Sequence, residues 1–181
     1  MVLMEKPFLA DKFQIAWSEL KPENIVSDIT EAIANAQNQV DLISQPSSAG
    51  DELTFENTLI SLESAYEALS RPWGLVSHLE SVSTSDQWRE AYNATLPKVT
   101  EFYSKVPLNS GLWNRIKAYS ETEEAKSLSG TRLRFLEETL SDFQNSGADL
   151  PSEDKDRLMQ IESELAQKTQ KYSENVLDST N

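Results

Sequence analysis

Cysteine is absent from the 181 residues, and histidine occurs once, at His78. The first absence excludes disulfides and thiol chemistry and fits a reducing, cytoplasmic setting. The second starves a zinc centre, which takes three or four ligands drawn mostly from histidine and cysteine. It also removes the Glu-x-x-His pairs of a helical di-iron site. Positive charge is scarce: 16 lysines and arginines stand against 30 acidic residues, a net charge of -14. Such a surface repels phosphate backbones and anionic headgroups, so neither nucleic acid nor a membrane is an expected partner. No apolar run approaches membrane-spanning length. The opening MVLMEKPFLADKF has no basic stretch followed by an apolar core, so it does not read as a signal peptide. Only five glycines occur, and none belongs to a phosphate-cradling loop or a nucleophile motif.

What the chain does have is apolar spacing at the helical period, almost without interruption. After Pro22, which suits a first helical turn, Ile25, Ile29, Ile33, Ala36, Val40 and Ile43 form one stripe. The run from Gln45 to Glu52 reads as a loop. Thr54 is placed to cap a helix burying Leu59, Leu62, Tyr66 and Leu69, and Pro72 predicts a kink or break in its continuation. Ser85 is placed to cap a third helix carrying Trp88, Tyr92, Leu96, Val99, Tyr103 and Val106, bent at Pro97. Pro107 to Gly111 reads as a turn before the short helix LWNRIKAY. A further helix presents Leu133, Leu136, Leu140 and Phe143, and Gly147 is placed to end it. Ser152 is the expected cap of the last helix, whose stripe is Leu158, Ile161, Leu165, Thr169, Tyr172 and Val176. Its steps of 3, 4, 4, 3 and 4 average 3.6, which favours a straight packed helix over a supercoiled one. No segment reads as a strand. The prediction is all-α: a multi-helix bundle with kinked helices, one domain over 1–181.

The chemistry-bearing residues have structural readings. A lone His78 is read as a packed or capping residue. Ser152 to Arg157 (SEDKDR) has the acidity of a calcium loop without its central glycine and terminal glutamate, so it reads as an acidic first turn. Glu137 and Glu138 are adjacent, about 100° apart around a helix, and read as a solvated face. The sequon at Asn93 is read as chance in the absence of a secretion signal. The tryptophans and tyrosines on the stripes read as core, and Trp17 as the staple of the N-terminal arm. No catalytic or metal-binding residue is assigned, and the substrate-contacting residues are unknown.

Several segments together resemble a known family. TFENTLISLE, SHLESVSTSDQWREAYNATLP, LSDFQNSGADLP and YSENVLDST, with the opening PFLADKF and WSELKPENIVSDI, are similar in order and spacing to the N-terminal region of the thimet oligopeptidase family of zinc peptidases, within it the bacterial oligopeptidase A branch. The resemblance runs from about Pro7 to Asn181. It implies the N-terminal helical domain of a neurolysin-like metallopeptidase, one wall of a channel that admits short peptides and excludes folded proteins. It implies a cytoplasmic parent enzyme holding zinc on an H-E-x-x-H helix and a further glutamate, all outside these residues. It also implies that the chain is a fragment whose principal partner is the missing C-terminal catalytic domain. The alternative is a free-standing acidic helical bundle acting as an interaction module. The last helix points the same way as the resemblance. It is still apolar at Val176 and Leu177, followed only by the turn-prone DSTN. The first reading therefore predicts an exposed apolar patch where more protein docks.

Overall fold

The computed structural model describes residues 6–45, 52–83 and 85–180. Among them seven α-helices and no strand occur: α1 Pro22–Ser44, α2 Ser61–Val82, α3 Asp86–Leu108, α4 Ser110–Ser120, α5 Glu123–Lys126, α6 Gly130–Asn145 and α7 Ser152–Thr180. All but the two ends of the loop expected over 45–52 lies outside the described residues.

α1 is the centre. Ile25, Ile29, Ala32, Ala36, Val40 and Ile43 are all buried along one face, against α2 and α3 and, at the C-terminal end, α4. The alanines let the neighbouring backbones close in. The N-terminal arm lies across the other end. Its buried anchor is Phe8 rather than Trp17: the Phe8 N–H donates to the buried Asp28 carboxylate at 3.2 Å, and Arg71 ties down Asp11 and the Lys12 carbonyl, each at 2.6 Å. Trp17 stays about half exposed, its ring 5.7 Å from the His78 imidazole.

Local chemistry sets most helix ends. Thr54 and Asn57 exchange reciprocal bonds, Asn57 N–H to the Thr54 hydroxyl at 3.1 Å and Thr54 N–H to the Asn57 side chain at 3.0 Å. This is the logic of a capping box, and it opens a single π-helical turn, Glu56–Ile60, before α2. Ser85 caps α3 by accepting from Trp88 N–H. Gly147, at φ +92, ends α6 with the Ala148 N–H reaching the Phe143 carbonyl at 3.0 Å. Buried Ala148 and Phe143 complete this Schellman arrangement.

Pro72 lies inside α2, and Pro97 and Pro107 lie inside α3, without ending either helix. Three expectations are corrected. The turn at 107–111 shrinks to Asn109, because α3 runs to Leu108 and the Asn109 side chain already caps α4 at 2.9 Å from Leu112 N–H. α7 begins at Ser152, with Lys155 N–H on the Pro151 carbonyl at 3.0 Å, so Ser152 is a first-turn residue rather than the cap. Asp178 to Thr180 remain helical instead of turning away.

Two glycines in helices differ sharply in surroundings. A Cβ on Gly111 would lie 2.5 Å from the Ser44 carbonyl oxygen, whereas one on Gly74 would meet nothing within 4 Å. Gly74→Ala is therefore expected to raise stability by about 0.5–1 kcal/mol. Gly111→Ala is expected to lower it by about 1–3 kcal/mol, by forcing α4 away from the end of α1. Thermal or urea melts of the two variants measure both signs.

Candidate interaction surface on the last helix

α7 sits outside this core. Its main neighbour is α3, and none of its residues joins either apolar cluster of the bundle. The face turned to the bundle carries half-buried Lys155, Leu158, Met159, Glu162, Ser163, Ala166 and Gln170, and buried Glu174. It is mostly polar, and polar bonds fasten it. Near the start of the helix the Lys155 ammonium donates to the Leu108 carbonyl at 3.1 Å. Near the end the Asn93 amide donates to Glu174 at 2.6 Å, and the Arg89 guanidinium forks onto Asp178 at 3.2 and 3.4 Å.

The hydrogen bond from Asn93 is the largest influence on Glu174 and holds its carboxyl below the usual range. Burial opposes it, while Gln170, Lys171 and Arg89 assist. Across the seam, burial pushes the Glu80 carboxyl up, against the pull of Arg89 and with the Glu174 charge adding to the rise.

An apolar flank of α7, beside that face, is exposed to solvent. Ile161, Leu165, Tyr172 and Val176 are 47, 61, 70 and 45% exposed. From Ile161 onward the stripe that the sequence marks as the working face of this helix is thus exposed, whereas Leu158 at its start is half-buried, and the patch expected from the resemblance is present. Full burial of an apolar side chain of this size stabilises by about 1.5–3 kcal/mol. An aligned row left in water therefore marks a surface for another polypeptide.

The residues weighed for chemistry in the sequence do not come together. His78 is exposed beside Trp17. Glu137 and Glu138 lie on the exposed side of α6, and residues 152–157 are the first turns of α7. Among the described residues, no group of three histidine, aspartate or glutamate side chains gathers as a metal site. Sequence reasoning missed the seam. Asn93 is its key donor, and the matched spacing of Arg89 with Asn93 and of Glu174 with Asp178, each one turn apart, was the available signal. None of the helices formed by the described residues is long and apolar enough to cross a membrane.

The model of the N-terminal domain of neurolysin and thimet oligopeptidase matches residues 23–155. The chain belongs to this family. Oligopeptidase A of Haemophilus influenzae is 32% identical over 178 residues, which make up 98% of this chain and 25% of that protein. Oligopeptidase A of Escherichia coli is 30% identical over 177 residues, 98% of this chain and 26% of that protein. The probable cytosolic oligopeptidase A of Arabidopsis thaliana is 32% identical over 119 residues, 66% of this chain and 17% of that protein. The chain thus spans about a quarter of the length of the bacterial relatives it matches. In this oligopeptidase-family domain the family match stops at Lys155, so the stripe from Ile161 onward lies past its end, while the bacterial alignments cover nearly the whole chain.

The seam sets a pH dependence. A carboxyl held below its ordinary 4.5 stabilises the fold above that pH, and the contribution is lost as pH falls through the lower folded value. Glu174→Gln is expected to cost about 1.5–3 kcal/mol at pH 7. It should also flatten the loss of stability below about pH 4.5. Urea melts of the wild type and the variant across that range supply the comparison. Identical acid limbs would show that Glu174 does not hold α7.

Proposed function

We propose that these residues form the N-terminal, channel-wall domain of a cytoplasmic zinc metallo-oligopeptidase that hydrolyses short peptides. The observation that carries this reading is the match of almost the whole chain to proteins four times its length that are named for oligopeptidase activity, through a segment assigned to the N-terminal domain. On this reading the domain contributes shape. It restricts which substrates reach the reacting centre, and its principal partner is the catalytic remainder of the same polypeptide. Zinc is held by that remainder, consistent with a histidine supply of one in these 181 residues. The alternative, a free-standing acidic module, draws on the exposed α7 stripe but leaves the family match without a role.

Two measurements test the reading. Sequence of the gene past codon 181 is expected to encode H-E-x-x-H on a helical segment, and a stop codon there in an intact genome would sink it. The purified 181-residue chain is expected to leave short fluorogenic peptides uncut with zinc added. Calorimetry is expected to register no stoichiometric zinc. Chelator-sensitive cleavage, or tight zinc binding abolished in His78→Ala, places the chemistry in this chain and overturns the assignment.

A further inference from the structure

α2 and α6 both pack on α3, and neither is a main neighbour of the other. A cleft of about 300 Å³ opens between them. Its lining includes apolar Leu62 and Phe143, both buried. Glu63 and Tyr66, three residues apart on one face of α2, line it together with Tyr103 of α3 and Asp142 of α6. The Tyr66 and Tyr103 rings stack at 6.0 Å, within 15° of parallel.

The cleft carries negative charge without a counter-charge. Among the described residues, none of those lining it is basic, and neither Glu63 nor Asp142 belongs to an ion pair. Lys105 and Arg134, which flank lining residues in sequence, pair with Glu101 and Glu138 on their own helices. Burial pushes the Tyr66 hydroxyl above its ordinary 10.0, and Tyr103, Glu63 and Asp142 each push it the same way.

Pro107 supplies a separate acceptor. It lies four residues after Tyr103 inside α3, where a helical N–H would close onto the Tyr103 carbonyl. Proline has no N–H, so that carbonyl lacks its helical partner, and both residues line the cleft. Acceptors from three helices thus meet at one cleft beside aromatic faces. An alkylammonium group matches them. It brings one positive charge and three N–H donors, its methylene stem suits apolar surface, and aromatic faces attract cations. A calcium ion would instead ask for six to eight oxygen ligands.

We propose that this cleft binds a primary ammonium group on a short alkyl chain, held by Glu63, Asp142 and the Tyr103 carbonyl beside the Tyr66 and Tyr103 rings. The site lies within the matched residues 23–155 and uses no residue of α7. It does not depend on the peptidase reading. A free amine and a lysine side chain carry the same chemistry.

NMR titration of the nitrogen-labelled 181-residue chain tests the site. The probes are n-butylammonium and acetyl-lysine amide, which share one stem. n-Butanol lacks their charge, and tetramethylammonium lacks their N–H donors. The ammonium probes are expected to give saturable shifts at the cleft residues, with affinity about tenfold or more above both controls. Tighter binding of n-butylammonium assigns the site to a free amine, and tighter binding of acetyl-lysine amide assigns it to a side chain of a polypeptide. Glu63→Gln combined with Asp142→Asn should weaken binding about tenfold or more. Pro107→Ala, which returns an N–H to the Tyr103 carbonyl, should weaken it about threefold or more. Circular dichroism of both variants checks that helix content is kept. Absence of saturable shifts with either ammonium probe, an equal response to n-butanol, or affinity unchanged in both variants overturns the proposal.

Discussion

The bundle depends on the burial of one face of α1. Six apolar residues on that face sit between 0 and 8% exposed, and the arm, α2, α3 and α4 are all placed by contact with this helix. The centre of the face is made of Ala32 and Ala36, both essentially inaccessible. Their small size sets how closely α2 and α3 can approach, and interiors packed to crystal-like density tolerate no added bulk at such points. The C-terminal end of α1 repeats the device with Gly111, whose missing side chain admits the Ser44 carbonyl. The arm uses the reverse strategy: a buried carboxylate, Asp28, receives the Phe8 N–H and the Ser27 hydroxyl, so the chain that enters α1 is fixed by hydrogen bonds where apolar surface runs out.

α7 follows a different rule. Apolar contact holds α1 to α2 and α3; polar contact holds α7 to α3. Each such hydrogen bond nets only about 1 kcal/mol, with more for those to charged groups, and the pair between Arg89 and Asp178 is partly screened because Asp178 is more than half exposed. The attachment is therefore directional but modest. Segments held in this way sit at the low end of the spread of local stabilities within a domain.

The sequence made the number and order of the long helices legible, because apolar residues returning every 3 or 4 positions leave no competing reading. Caps were legible where the chemistry is local: Ser85 and Gly147 act on residues within four positions of themselves. The rest was hidden for identifiable reasons. Four residues, Glu123–Lys126, are too few to show a period, so α5 went unread. Asn109 ends one helix and begins the next, which flanking prolines and glycine disguised as a loop. Prolines inside α2 and α3 weigh against a helix locally, and tertiary packing outweighed them. For α7 the periodicity was read correctly but its direction was not. A stripe shows that a helix has an apolar side; which neighbour that side meets is decided by residues far away, here Asn93 and Arg89, 81 and 89 positions from their partners. The surface on α7 could be located only in three dimensions.

The bundle is stiffened between its helices by stacked aromatic pairs. Trp73 of α2 stacks on Tyr92 of α3 at 4.8 Å, Tyr66 of α2 on Tyr103 of α3 at 6.0 Å, and Trp113 of α4 on Phe143 of α6 at 5.9 Å. Aromatic pairs in such geometries add about 0.5–1.5 kcal/mol beyond their buried area, and each links two helices rather than two turns of one. α1 to α6 thus form a braced unit. α7 is braced only through its polar seam, and it is also the helix whose apolar side is turned outward. The two features have one physical origin: side chains committed to water-facing contacts cannot also build the core, so the helix least bound to its own domain is the one best able to bind another polypeptide.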